Sequence, residues 1–233
     1  MTQVQETDGM GDLRISQAPK TLREIALERV RTAILEFRFP PGARLTERDL
    51  CEQLGVSRSV VREVLRHLET EGLVQTIPHH GPIVAKLDRD AAAQIYEIRG
   101  LLEASAAHSA AQHADADAVG KMDIAMADIE SAYAAGNHRA VLAATTRFYE
   151  TMFLCGGKSV AWEMVQRLNG RISRLRAMTI ASSGRHVTGP AQMRKIFDAI
   201  ARHDPPAAAM ACREHVARAA DIARKLLSEQ PED

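Results

Sequence analysis

Between Leu50 and Val74 the chain reads LCEQLGVSRSVVREVLRHLETEGLV, and this stretch constrains its fold more than any other. Gly55 and Gly72 punctuate it, and glycine tolerates the left-handed backbone that closes a helix. Between them Val61, Val64, Leu65 and Leu68 recur at three- and four-residue spacing, which gives a helix one buried stripe. Ser57 stands at the N-cap position, and Arg58, Arg62 and Arg66 share the opposite face. A shorter helix opens at Thr46, with Asp49 three residues on, and runs through Leu50 to Leu54. A short helix, a tight turn and a capped amphipathic helix make a helix-turn-helix.

The flanks complete a small domain. Thr21 and Glu24 have capping-box spacing, and Val30, Ala33, Ile34 and Phe37 follow as one buried helical face. FPPGARL ends that helix, because Pro40 and Pro41 cannot continue it. LVQTI and PIVAKL read as two short strands joined by the turn PHHG. Residues 21–87 therefore form a winged helix-turn-helix, with residues 1–20 as a polar, flexible N-terminal tail.

From 88 to 230 there is no strand signal. HADADA, AAGN, CGGKS, SSGRHVTGP and HDPP separate about six helices, placed at 91–113, 119–135, 139–154, 160–181, 191–202 and 206–227. An antiparallel all-helical bundle is the expected architecture. The fold class is mainly α: a winged helix-turn-helix followed by a helical bundle.

That arrangement suits double-stranded DNA. The free first turn of the second helix would offer Ser57, Arg58, Ser59 and Arg62. Its N–H groups and dipole attract phosphate, and an arginine fork matches the O6 and N7 of guanine. Residues near the start of such a helix reach base edges in the major groove. His80 and Gly81 at the hairpin tip would meet the neighbouring groove or phosphate. Arg48 is divided between DNA contact and an ion pair with Glu52. Lys and Arg together number 30, as do Asp and Glu, so the positive face must be local. The three cysteines form no CxxC pair and fit a reducing cytoplasm. The N-terminus lacks the apolar core of a signal peptide, and no run reaches membrane-spanning length.

Residues 21–87 resemble the winged-helix domain of GntR-type bacterial transcription regulators. PPGARLTERDLCEQLGVSRSVVREVLRHLETEGLV and the wing IPHHGPIVA carry the likeness. The resemblance implies DNA contacts at Arg48, Arg58 and Arg62, with His80 and Gly81 at the wing. Residues 88–230 resemble the helical ligand-binding domain of the FCD, FadR-like branch of that family. IYEIRGLLEASAAHSAA, TRFYETMFLCGGKSVAWEMVQRLNGRISRLR and MRKIFDAIARHDPPAAAMACREHVARA carry that likeness.

Many FCD domains hold a divalent metal with one Asp and three His. At the matching positions this chain has Thr145, Tyr149, Met193 and His215. One imidazole does not make a metal site, which takes about three or four protein ligands, so no metal is expected. The family pocket would then take a small-molecule effector directly. Arg99, Tyr149, Arg171, Arg174, Met193 and His215 are the candidate lining, and a carboxylate is the expected class. For Arg171 and Arg174 the alternative, shared with Arg176, is a solvated face or pairing with acidic neighbours; for Tyr149 and Met193 it is plain core packing, and for His215 a satisfied core histidine.

The expectation is a cytoplasmic homodimeric repressor on a pseudo-palindromic operator, with effector and DNA coupled through the bundle. A small helical hydrolase finds no support, because GxSxG, HExxH and P-loop motifs are missing. A DNA-binding protein whose bundle only dimerises stays open.

Overall fold

A computed structural model of the chain describes residues 20–229. The expected tail, apart from Lys20, lies outside the described residues. The elements run α1 (Leu22–Leu35), α2 (Glu47–Leu54), α3 (Arg58–Thr70), β1 (Val74–Ile77), β2 (Gly81–Val84), α4 (Arg89–His113), α5 (Ala116–Ala134), α6 (His138–Cys155), α7 (Ser159–Arg167), α8 (Asn169–Ile180), α9 (Arg185–Ala201) and α10 (Pro205–Ser228).

The first five elements pack around one core. Thr21 and Glu24 form the capping box of α1, and Ala26, Leu27, Val30, Ala33 and Ile34 face inward. Phe37 departs from the expected buried face. The helix stops at Leu35, and Phe37 takes a left-handed φ of 56° and is 38% exposed. Val61, Val64, Leu65 and Leu68 of α3 are buried against α1, α2 and β1. Thr46 caps α2 and Gly55 closes it with φ 67°. β1 and β2 pair antiparallel from Val74↔Val84 to Ile77↔Gly81, and Arg44 bridges to Ile83 on the far edge.

The remaining helices form a bundle in which α4 lies along α10 and α5 along α6. Ala104, Ala106, Ala107, Ala110 and Ala111 are all buried on α4. Their small side chains let α10 and its own buried Ala208, Ala209 and Ala219 approach closely. Asp88, Asp115, Asn137 and Asp204 each accept a backbone N–H at the start of α4, α5, α6 and α10, so four of these helices start on a side-chain cap.

Two helices differ from the sequence reading. The expected helix 160–181 is two, α7 and α8, broken at Leu168 just before Asn169-Gly170. The expected helix 191–202 begins six residues earlier at Arg185 and passes through Pro190. Pro190 is the sixth residue of this helix and has no N–H to give the carbonyl four residues back, so one backbone hydrogen bond is missing there. Gly184, at φ 74°, turns the chain into that extra turn, and the Arg185 side chain is buried by it. No helix among the described residues is long and apolar enough to cross a membrane.

The two halves touch through α8. Gly170 abuts the backbone of Glu71 at the end of α3; a Cβ there would lie 2.9 Å from the Glu71 Cβ. Gly72, at φ 70°, faces the Arg171 side chain, whose Cγ would lie 3.0 Å from an added Cβ. Arg31 of α1 grips Glu71 with both Nε and Nη2, at 2.9 and 2.5 Å. α8 is thus covered on two sides, by the bundle and by the winged domain.

Candidate functional site

The start of α3 is an exposed, cationic helix end. Ser57, Arg58, Ser59 and Arg62 are all exposed, and no acidic residue lies in the first turn. Ser57 does not cap the helix through its side chain, contrary to expectation. Its hydroxyl pairs with the Ser59 hydroxyl at 2.8 Å, so the first-turn N–H groups have no side-chain cap. Such groups favour an anion.

Arg62 is held from behind. Its Nε donates to Glu47 Oε1 at 2.7 Å, across from α2 to α3. That hydrogen bond keeps the Glu47 carboxyl below its ordinary range. Glu47 was not singled out in the sequence; a carboxylate opening α2 beside a DNA-facing helix reads there only as a dipole-favoured residue. Arg48 is 85% exposed and pairs with Asp49 at 3.3 Å rather than with Glu52. At the wing tip His79, at φ 63°, and His80 are exposed, while Gly81 takes φ 88°. The exposed arginines and the wing tip belong to the same small domain.

The effector residues named from sequence divide into two groups. Arg99, Met193 and His215 meet at a cavity of about 20 Å³ between α4, α8, α9 and α10. Tyr149 packs just behind it, with the Arg176 guanidinium 4.5 Å above its ring centroid. Arg171 and Arg174 are elsewhere, which corrects their placement in the pocket. Arg171 is exposed against Gly72, and Arg174 Nη1 donates to the Ala85 carbonyl at the end of the wing. Residues two apart on a helix point to different sides, so Arg176 reaches the cavity and Arg174 the domain boundary. The solvated-face alternative also fails for Arg174, which is 2% exposed.

Glu103, packed behind the cavity, and Arg185 on its wall escaped the sequence reading, and Arg176, read there as part of a solvated face, is buried on the cavity wall. Glu103 follows Arg99 by one turn and accepts from its Nε at 2.7 Å and from Arg176 Nη2 at 3.2 Å. Burial opposes the charge on Glu103, but Arg99 and Arg176 outweigh it and hold the carboxyl below its ordinary range. The Arg99–Glu103 spacing of four was the one available signal, since a lone i, i+4 pair usually lies on a surface. Arg185 is 4% exposed, and its Nη1 donates to Gln192 Oε1 at 2.8 Å. Among the described residues no carboxylate pairs with it. Burial pulls its guanidinium below the ordinary value, as it does for Arg176. His215 is held well below its ordinary range by burial and then by Arg185, Arg99 and Arg176.

These residues do not make a metal donor set. Thr145, Tyr149 and Met193 offer a hydroxyl, a phenol and a thioether beside the single imidazole of His215. Three guanidiniums around them oppose a cation. No cluster of three His, Cys, Asp or Glu suited to a metal occurs among the described residues. A larger open groove of about 420 Å³ runs between α4 and α10, with Ala93, Gly100, Ala217 and Ala220 along it and Leu101 67% exposed.

Comparisons with known proteins agree with this arrangement. Residues 22–84 match the family described as "Bacterial regulatory proteins, gntR family", and residues 94–218 match the FCD domain. An "Uncharacterized HTH-type transcriptional regulator in unstable DNA locus" of Streptomyces ambofaciens is 28% identical over 217 residues, covering 90% of this chain and 88% of the relative. A "Probable D-xylose utilization operon transcriptional repressor" of Paenarthrobacter nicotinovorans is 30% identical over 187 residues, 79% of this chain and 80% of the relative. The solved structure of E. coli McbR/YncC shares the fold, with a TM-score of 0.76 at 18% identity over 89% of this chain and 99% of the other. With a winged helix-turn-helix at one end and an FCD bundle at the other, the chain belongs to the GntR family of bacterial regulatory proteins and is a DNA-binding transcription regulator of the FCD type.

Proposed function

We propose that the protein is a homodimeric repressor whose operator affinity is set by a small anionic metabolite held in the bundle without a metal. Arg48, Arg58 and Arg62, the hydroxyls of Ser57 and Ser59, and the wing at His80 and Gly81 contact DNA. Repression is supported by the role in the name of the Paenarthrobacter relative. Dimerisation is supported by the small-residue groove between α4 and α10, flanked by exposed Leu101 and Ile98. An isologous contact there would give the two-fold symmetry of a palindromic site.

The observation that carries the sensor is Arg185, a buried guanidinium without a carboxylate beside a cavity that already holds two more. Leaving such a charge unpaired is costly, and an anionic ligand removes the cost. The metal-free reading is supported by the donor set of Thr145, Tyr149, Met193 and His215. The route to DNA is α8: Arg176 faces the cavity, while Gly170, Arg171 and Arg174 touch the winged domain. A shift of α8 on ligand binding changes the pose of α3 and the wing. Coupling of this kind is typically about 1–3 kcal/mol, or roughly 5- to 150-fold in affinity.

The small cavity volume favours a second reading, in which the bundle only dimerises. Operator binding measured with and without small anions separates the two. An anion that changes operator affinity in a saturable way supports the sensor. Operator affinity indifferent to a broad anion panel leaves the dimeriser. EDTA-treated protein that loses the response until a divalent metal is restored overturns the metal-free reading.

A further inference from the structure

We infer that the cavity between α4, α8, α9 and α10 binds a compact dianionic oxyanion, phosphate or sulfate in kind, with Arg99, Arg176 and Arg185 supplying the charge. This deepens the sensor reading and rests on it.

The charge balance comes first. Three buried guanidiniums face one buried carboxylate, Glu103, which leaves two positive charges in excess. The other polar groups near them are Tyr133, Thr145, Thr179 and His215 on the cavity wall, with Tyr96, Tyr149 and Cys212 behind, and none of these supplies a negative charge. His215 is disfavoured in its charged form, so it adds no third excess charge. A neutral ligand leaves both charges uncompensated, and a monoanion leaves one.

The open donors come second. Arg99 Nη1, Arg176 Nε and Arg185 Nε are buried without a hydrogen-bond partner, as is His215 Nδ1. They come from four helices and converge on the same cavity. Unmatched buried donors are rare and call for an occupant. Gly189 extends the set: a Cβ there would lie 2.8 Å from the Tyr133 hydroxyl, so only glycine lets that phenol approach the cavity.

Compactness decides the shape. A cavity of about 20 Å³ has room for roughly one water-sized body, so any anion enters only as the arginine side chains draw back around it, and the most compact dianion asks least of them. A tetrahedral oxyanion places two charges and several acceptors around one centre, and guanidinium forks match its edges. A dicarboxylate spreads the same charge over a longer chain and demands a wider opening of the bundle. A free ion and the phosphoryl head of an ester share this chemistry.

The test is made on the EDTA-treated full-length protein at constant ionic strength. Melting temperature and equilibrium dialysis are followed against phosphate, sulfate, methyl phosphate, malonate and acetate. Sulfate also stabilises proteins without binding a site, so the decisive comparison is with Arg185→Gln and Arg185→Lys. Phosphate and sulfate should bind wild type saturably, with acetate at least tenfold weaker. Arg185→Gln should melt higher than wild type when free, and should bind phosphate about tenfold or more weakly. Arg185→Lys, which keeps the charge and loses the fork, should fall between. Methyl phosphate matching phosphate identifies an ester head, and phosphate alone identifies a free ion; both support the site. Equal binding by acetate, or unchanged phosphate binding in Arg185→Gln, overturns it. Malonate binding and altering operator affinity while phosphate and sulfate do not sinks the oxyanion but keeps the sensor. No binding by any anion sinks both.

Discussion

Arg62, one of the proposed DNA contacts, is already oriented by the Glu47 carboxylate, which accepts from its Nε. Replacing Arg62 by alanine should weaken operator binding and lower the slope of log affinity against log salt by about 1. The melting temperature should barely change, since the side chain is exposed; fluorescence anisotropy across a salt series reads the slope. Glu103 is the opposite case, fully buried among guanidiniums. Glu103→Gln removes the one carboxylate facing them, and breaking a buried pair this way costs about 3–5 kcal/mol. Denaturant unfolding should show that loss, and an undiminished midpoint would mean the arginines find other partners. Arg62 was legible in the sequence because its face is fixed by α3 alone. Arg185 was not: it follows a glycine turn, and only its packing against Tyr133 and Gln192 shows that it is inside.

At the scale of elements, α8 is the helix that touches both halves. Gly170 sits so close to the backbone of Glu71 that no Cβ fits without movement. Gly170→Ala should therefore push the domains apart, costing about 1–3 kcal/mol as an overpacked contact does. Hydrogen exchange should then rise at the end of α3 and along α8. If exchange there matches wild type, the contact between the halves is not what holds α8 in place. The caps of α1 and α2 and the stripe of α3 were readable because capping and 3.6-residue periodicity are local. The break at Leu168 was signalled by Asn169-Gly170, a turn pair inside a run that otherwise reads as helix. The early start of α9 had no such signal, since a proline six residues into a helix reads as a stop. Arg171 and Arg174 were misplaced for a related reason: α8 is covered on two sides, and a one-sided periodicity argument has no way to assign the second.

For the whole molecule, 30 cationic and 30 anionic side chains cancel, so DNA attraction depends on the winged domain rather than on bulk charge. In the proposed dimer, Leu101→Glu, placed in the α4–α10 groove, should shift the protein toward monomer in sedimentation and weaken binding to a palindromic operator. Retained dimer would move the interface to another face. By itself the sequence determined the order of domains, the helix-turn-helix and the wing. Each of these rests on residue types at short, fixed spacings. Only the tertiary structure decided which arginines are buried together, that Glu103 answers two of them, and that α8 joins the cavity to the wing. Those contacts link Arg99 to Arg176 and Arg174 to Ala85. Partners separated by some seventy to ninety residues are chosen by how helices pack, which no local periodicity encodes.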